Sequence, residues 1–226
     1  MKKISIIVRS KNEESWIEKT LYALKNQICE DKEIILVDNG STDNTIKIAK
    51  KFYCKIINYD TKKYNYSKAL NLGIKKSKGD IIGIISAHCV PYDDYWISNA
   101  TKNFDNPEVV GVYSKQLPTK DSTDLDLRSL FQVFRSDKLI QTDDFYFNNA
   151  ASFIRKESWK NKKFDENISG YEDLIWAKYF LKLNKKIVYE PKSKVFHFHG
   201  INHGDNRERL KRHVLILKGL KNHEYS

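Results

Sequence analysis

Four polar clusters in this chain carry residue types that can do chemistry. Arg9-Ser10-Lys11-Asn12-Glu13 follows the apolar run Ile4–Val8, and Asp38-Asn39-Gly40-Ser41-Thr42-Asp43 follows Ile34–Val37. Ser86-Ala87-His88 follows Ile81–Ile85, and Glu172-Asp173 opens an amphipathic stretch. Hydroxyls, amides and carboxylates just beyond buried strands offer hydrogen bonds to a polar ligand lodged there. A carboxylate beside a reacting hydroxyl can take its proton, and imidazoles ligate transition metals. In Val195-Phe196-His197-Phe198-His199-Gly200, strand alternation would put His197 and His199 on one face. The same residue types also make ordinary turns and N-caps, and the helix dipole stabilises carboxylates in any first turn. For a single cluster that plain alternative stays open; it is weaker for all of them together.

The elements that must position these clusters read as repeated β-α units. Ile4–Val8, Ile34–Val37, Lys55–Ile57 and Ile81–Ile85 are short, β-branched and buried in pattern, as in a strand covered on both faces. Between them, Glu14–Gln27, a segment from Ser41-Thr42-Asp43 to Phe52, and Ser67–Ser77 have helical spacing. The fold class is therefore α/β, with a mostly parallel sheet and right-handed crossovers. After Pro91 the alternation loosens. Strands are expected over Val109–Tyr113, Ala150–Ile154 and Lys186–Tyr189, helices over Leu125–Ile140 and Glu172–Leu183, and a polar surface loop over Gln116–Asp124. In an open α/β sheet the carboxyl ends of the strands form the ligand crevice, so the polar clusters should converge on one rim.

Composition narrows the class further. The 226 residues hold 40 Lys and Arg against 29 Asp and Glu, a net charge of +11 that suits an anionic partner. With 40% apolar residues the chain can build a core, which excludes a disordered chain. No apolar run approaches about 18 residues, the length a membrane span needs. Three cysteines without CxxC spacing argue against a disulfide scaffold or a zinc knuckle, and Met1-Lys2-Lys3-Ile4-Ser5 lacks a signal-peptide pattern. The expectation is a soluble cytoplasmic protein. No nucleic-acid-binding motif accompanies the positive charge.

Taken together, the motifs resemble the inverting family 2 glycosyltransferases of the GT-A fold. The resemblance rests on Ile6-Ile7-Val8, Asn12-Glu13 and the thirteen residues from Glu33 to Thr45. Asn71-Leu72-Gly73-Ile74 and Lys78-Gly79-Asp80-Ile81-Ile82 are similar to the family's link into its fourth strand, and Glu172-Asp173 resembles its catalytic pair. It implies a single Rossmann-like GT-A-type domain over 1–204, with a nucleotide-sugar half at about 1–115 and an acceptor half at about 116–204. It also implies that Asp38 accepts a hydrogen bond from the nucleobase or ribose of a sugar nucleotide. Arg9, Asn12, Glu13, Lys68 and Ser86 would line the nucleotide pocket. Asp173, with Glu172 beside it, would deprotonate a hydroxyl of a glycan or lipid-linked acceptor, and a single in-line displacement would invert the anomeric centre. The expected setting is bacterial-type surface polysaccharide or glycoconjugate assembly.

One departure stands out. Members of the family usually carry Asp-x-Asp after the fourth strand, binding Mg²⁺ or Mn²⁺ against the donor's diphosphate; here the triplet is Ser86-Ala87-His88, without a carboxylate. The polypeptide N-acetylgalactosaminyltransferases resemble this arrangement, with Asp-x-His there and a second His downstream. By that resemblance His88, His197 and His199 would hold a divalent cation, Mn²⁺ in preference to Mg²⁺. Equally open is a metal-free site in which His88 is neutral and Lys68 and Arg9 supply the positive charge. The remaining alternative is a catalytically weakened nucleotide- or glycan-binding relic. The last segment, 205–226, is basic with Leu210, Val214 and Leu217 on one helical stripe. Such a helix rests on an anionic membrane at its inner face, or packs on the domain with a solvated basic face.

Overall fold

Along β1 (Ile4–Ser10) every residue is buried, and successive side chains enter opposite cores. Ile4, Ile6 and Val8 pack with Ile17, Leu21 and Leu24 of α1 (Ile17–Lys25), whereas Ile7 packs with Leu70 and Ile74 of α3 (Tyr66–Lys75). This two-sided burial fixes β1 at the middle of the parallel half of a sheet. It pairs in parallel with β2 (Lys32–Asp38) and β4 (Ile81–Ser86), and β2 pairs in parallel with β3 (Lys55–Asn58). A short helix α2 (Thr45–Lys50) joins β2 to β3. Gly73 lets α3 approach the sheet: a Cβ there would lie 2.7 Å from Ile7 Cγ2 and 2.9 Å from Val37 Cγ2.

The computed structural model describes residues 2–59, 65–168, 170–198, 214–215 and 218–219. After β4 come β5 (Cys89–Pro91), α4 (Trp96–Thr101), a 3₁₀ turn (Lys102–Asp105) and β6 (Val109–Leu117). Then follow α5 (Asp124–Val133), β7 (Leu139–Gln141), β8 (Ala151–Arg155), α6 (Lys156–Asn161), α7 (Glu172–Lys182) and β9 (Lys186–His197). The sheet order is β3-β2-β1-β4-β8-β6-β9-β5, with β7 beside β9. Parallel pairing therefore holds through β3-β2-β1-β4, while β8 pairs antiparallel with β4 and β6. The expected α/β class stands, as a mixed sheet.

Three segments differ from the sequence reading, each for a local reason. Gln116 is buried inside β6 rather than exposed in a loop, because β9 runs beside it to Leu117. The helix expected over Leu125–Ile140 stops at Val133, where Phe134 takes an extended backbone, and Leu139–Gln141 instead adds a strand to β9. β9 itself continues past Tyr189 to His197. Pro191 lacks the N–H a ladder needs, and the pairing jumps from Ser114–Glu190 to Lys115–Lys194 across a bulge.

Asn71 of α3 ties the two halves together. Its amide donates to Phe164 O (2.9 Å) and Glu166 Oε1 (2.9 Å), and its Oδ1 accepts Trp159 Nε1–H (2.8 Å). Ser67 Oγ donates to Ile168 O and Asn65 Nδ2 to Glu166 O, so the segment 164–168 is fastened to the start of α3. That segment leads through Gly170 (φ 96°) and Tyr171 (φ 62°) into Glu172-Asp173, which fixes where α7 begins.

Candidate active site

The polar loops beyond β1, β2 and β4 are laced to one another. Asn12 (φ 54°) accepts Thr42 N–H on its Oδ1 (2.8 Å), and its own N–H donates to Ser41 Oγ (2.8 Å). The Glu13 amide donates to Thr45 Oγ1 at 2.7 Å. Asp38 is buried with both carboxylate oxygens engaged. Oδ1 accepts the hydroxyls of Ser10 (2.8 Å) and Ser41 (2.6 Å), and Oδ2 accepts Ser41 N–H (2.8 Å). The next residue is different. Asn39 is 3% exposed, and neither end of its side-chain amide has a partner among the described residues. Asn39 N–H donates to Ser10 O and Tyr59 N–H to Asp38 O, one step beyond the β2 pairings. Alternation therefore turns Asn39 away from Asp38. The buried Tyr59 hydroxyl likewise lacks a partner there. An unpaired buried amide is costly unless something polar meets it. In the sequence Asn39 is one member of a turn cluster, and its only distinguishing signal is its place one residue after a strand-end carboxylate.

His88 and His197 come together across β5 and β9. Their rings stack with centroids 5.3 Å apart and planes 7° from parallel. His88 Nδ1 lies 2.7 Å from Glu13 Oε1, and His197 Nδ1 lies 2.7 Å from Gln116 Oε1. Both partners are acceptors, so each Nδ1 donates its hydrogen there, which leaves Nε2 as the ring nitrogen able to offer a lone pair to a metal. This is how metal-binding imidazoles are oriented by the groups behind them. The ligand atoms of His88, Cys89 and His197 lie within 4.8 Å of one another. Burial holds the Cys89 thiol far above its ordinary pKa, so it stays protonated and a poor ligand. The two imidazoles thus fit a divalent cation that accepts nitrogen, with Glu13 supplying nearby negative charge. His199 lies outside the described residues.

Asp173 sits at the first turn of α7. Its Oδ2 accepts Asn149 N–H (2.9 Å) and its Oδ1 accepts Leu174 N–H (2.9 Å). Burial, and then the neighbouring Glu172 charge, push its carboxyl up to about 7, against these N–H bonds and Arg9, which pull it down. Glu172 is buried and accepts the Asn149 side-chain amide at 3.4 Å. Ser86, at the end of β4, is buried and accepts Arg9 Nη2–H at 3.0 Å. Lys68 is exposed on the first turn of α3. The structure thus brings Arg9, Ser86, Asn149 and Asp173 into one network, and Glu13, His88 and His197 into another.

An α/β sheet whose strand ends gather polar loops, with a buried glutamate and a half-buried aspartate at the start of a helix, has the plan of a GT-A glycosyltransferase. Residues 5–169 match the model described as "Glycosyl transferase family 2", and the chain belongs to that family. It is 25% identical over 209 residues to the O-antigen chain rhamnosyltransferase RfbN of Salmonella typhimurium, covering 87% of this chain and 67% of that protein. Its fold is similar to that of the mannosyltransferase PcManGT from Pyrobaculum calidifontis, solved with GDP-Man and Mn²⁺ (TM-score 0.70, 19% identity, 87% of this chain and 56% of that one). It is equally similar to S. aureus TarS 1-349 solved with UDP-GlcNAc (TM-score 0.70, 19% identity, 87% and 58%). The matched region thus spans little more than half the length of those two solved chains.

Proposed function

We propose that this domain transfers a sugar from a nucleotide-sugar donor to a hydroxyl acceptor with inversion, in surface-polysaccharide or glycoconjugate assembly. The observation that carries the reading is Asp173, a carboxylate aimed by two backbone N–H groups and raised toward neutrality at the rim of the nucleotide loops. An alcohol attacks an anomeric carbon poorly until its proton leaves, and a base whose pKa lies near the working pH is suited to take it. Glu172 beside it keeps that pKa high. In this reading the donor half is about 1–115 and the acceptor half about 116–204; the imidazole pair draws His88 from one and His197 from the other.

In this reading Asp38 holds the loop and Asn39 meets the base, its amide offering one donor and one acceptor to a nucleobase edge. Asn12 and Glu13 close the pocket, and Lys68 adds positive charge at its mouth. His88 and His197 would hold a divalent cation, with Glu13 and Gln116 orienting them. Nitrogen ligands favour Mn²⁺ over Mg²⁺. What a cation supplies when held there is charge against the departing nucleoside diphosphate. The variant triplet Ser86-Ala87-His88 then keeps the metal function through an imidazole rather than a carboxylate. The acceptor is a glycan or lipid-linked hydroxyl, and contact of 205–226 with an anionic membrane belongs to the same proposal. Most of that segment lies outside the described residues.

Asn39→Leu tests the donor pocket. It removes two buried polar atoms that lack partners among the described residues, so the thermal midpoint without ligand should not fall and is expected to rise. Nucleoside diphosphate affinity, read by calorimetry, should weaken by about tenfold or more, the cost of at least one hydrogen bond to a base. Unchanged affinity would remove Asn39 from the pocket.

A further inference from the structure

Arg9 has an unusual position for an arginine. It is the penultimate residue of the central strand β1 and only 7% exposed. Its Nη2 carries two hydrogens, and both are directed at protein oxygens, Ser86 Oγ at 3.0 Å and Asn149 O at 2.9 Å. The guanidinium carbon lies 5.2 Å from the centre of the Tyr66 ring. Such a group is held by the fold on several sides, unlike a surface cation that swings onto a phosphate.

The residue it grips is the one that aims the base. Asn149 is held at its carbonyl by Arg9, while its N–H donates to Asp173 Oδ2 at 2.9 Å. Its side chain is fixed as well: Oδ1 accepts Ser152 Oγ–H at 2.9 Å, and Nδ2 points to Glu172 Oε1. The chain from β1 to the start of α7 therefore runs Arg9, Asn149, Asp173. We infer that Arg9 is a positioning residue for Asp173, a buried cation that fixes the carboxylate through Asn149 and favours its ionised form.

This inference rests on the reading of Asp173 as the base and adds what makes that base usable. Burial and Glu172 both drive Asp173 toward the neutral acid, which cannot accept a proton. Against them stand the N–H groups of Asn149 and Leu174 and the charge of Arg9. Among the described residues Tyr146 and Tyr171 also lie near Asp173; burial raises the Tyr146 hydroxyl, which keeps it neutral. Among these groups, Arg9 alone brings a positive charge. An opposite charge nearby commonly lowers a carboxyl pKa by about one unit or more.

The test is a titration of the whole protein carrying ¹³C-labelled aspartate carboxyls, the Asp173 signal being assigned by its loss in Asp173→Asn. In Arg9→Gln its midpoint should move up by about one pH unit. Arg9→Lys, which keeps the charge and disturbs the fold less, should hold the midpoint near that of the unsubstituted protein. An unmoved midpoint in a folded Arg9→Gln protein would overturn the inference. So would a tenfold loss of UDP or GDP affinity with the midpoint fixed, which would make Arg9 a diphosphate ligand. Failure of the underlying reading looks different: Asp173→Asn would then retain sugar transfer, wherever the Arg9 variants place the midpoint.

Discussion

Replacing Asp173 by Asn should lower sugar transfer by about two to four orders of magnitude, the range expected when a general base is removed. Nucleotide affinity should stay unchanged, because Asp173 lies at the start of α7 and not among the loops of β1 and β2 that the proposal assigns to the donor pocket. The side chain keeps one oxygen to accept a backbone N–H, so the loss falls on chemistry more than on folding. In the unsubstituted protein, turnover should rise with pH through about 7, where Asp173 ionises. Stability should move the other way. A carboxyl whose folded pKa lies above its unfolded value of about 3.9 binds its proton more tightly in the fold. Its contribution is complete below that value and is lost as pH rises through about 7. The melting midpoint of the unsubstituted protein, relative to Asp173→Asn, should therefore fall between about pH 4 and pH 8. Near-normal transfer by Asp173→Asn at neutral pH would sink the assignment.

The second large effect concerns the imidazole pair. His88→Ala should weaken Mn²⁺ binding by on the order of 100-fold, since even groups that only orient a ligand are worth about 10- to 100-fold. The readout is free Mn²⁺ by electron paramagnetic resonance in the presence of nucleoside diphosphate. The variant should keep its fold: the His88 side chain is partly exposed and lies outside the apolar core. Glu13→Gln should give a smaller loss, because the amide oxygen can still accept the His88 Nδ1–H but the negative charge is gone. If His88→Ala bound Mn²⁺ as the unsubstituted protein does, the cation would not be held by this pair. The metal-free alternative would then take its place.

How much of this was legible in the sequence depends on the range of the interactions concerned. β1, β2 and β4 were readable because residues buried on both faces leave short runs rich in Ile and Val, and α3 and α7 because their apolar positions recur at helical spacing. The end of α5 was not readable. Leu130, Phe131, Val133, Phe134, Leu139 and Ile140 continue an apolar pattern, and no Gly or Pro marks the point where Phe134 leaves the helix. The burial of Gln116 depends on β9, some eighty residues later, and on a bulge that lets a strand pass Pro191. Clusters at the strand ends could be anticipated from topology, because parallel strands place their carboxyl ends on one rim. The pairings within that rim could not. Glu13 meets His88, Gln116 meets His197 and Arg9 meets Asn149, each across more than seventy residues with no periodicity to announce it. The distinction between Asp38 and Asn39 is likewise a matter of side-chain facing, which composition treats as one turn.

The central claim is that the rim binds a nucleotide-sugar donor, and its most direct test is the thermal midpoint of the protein against UDP, GDP, dTDP, CDP and CMP, each with and without Mn²⁺. A ligand present at about 100 times its Kd adds about 2.7 kcal/mol to stability, which is readily seen as a shift. The account predicts that one of these nucleotides raises the midpoint, and does so far more strongly when Mn²⁺ is present. No shift with any nucleotide, with or without the metal, would contradict it.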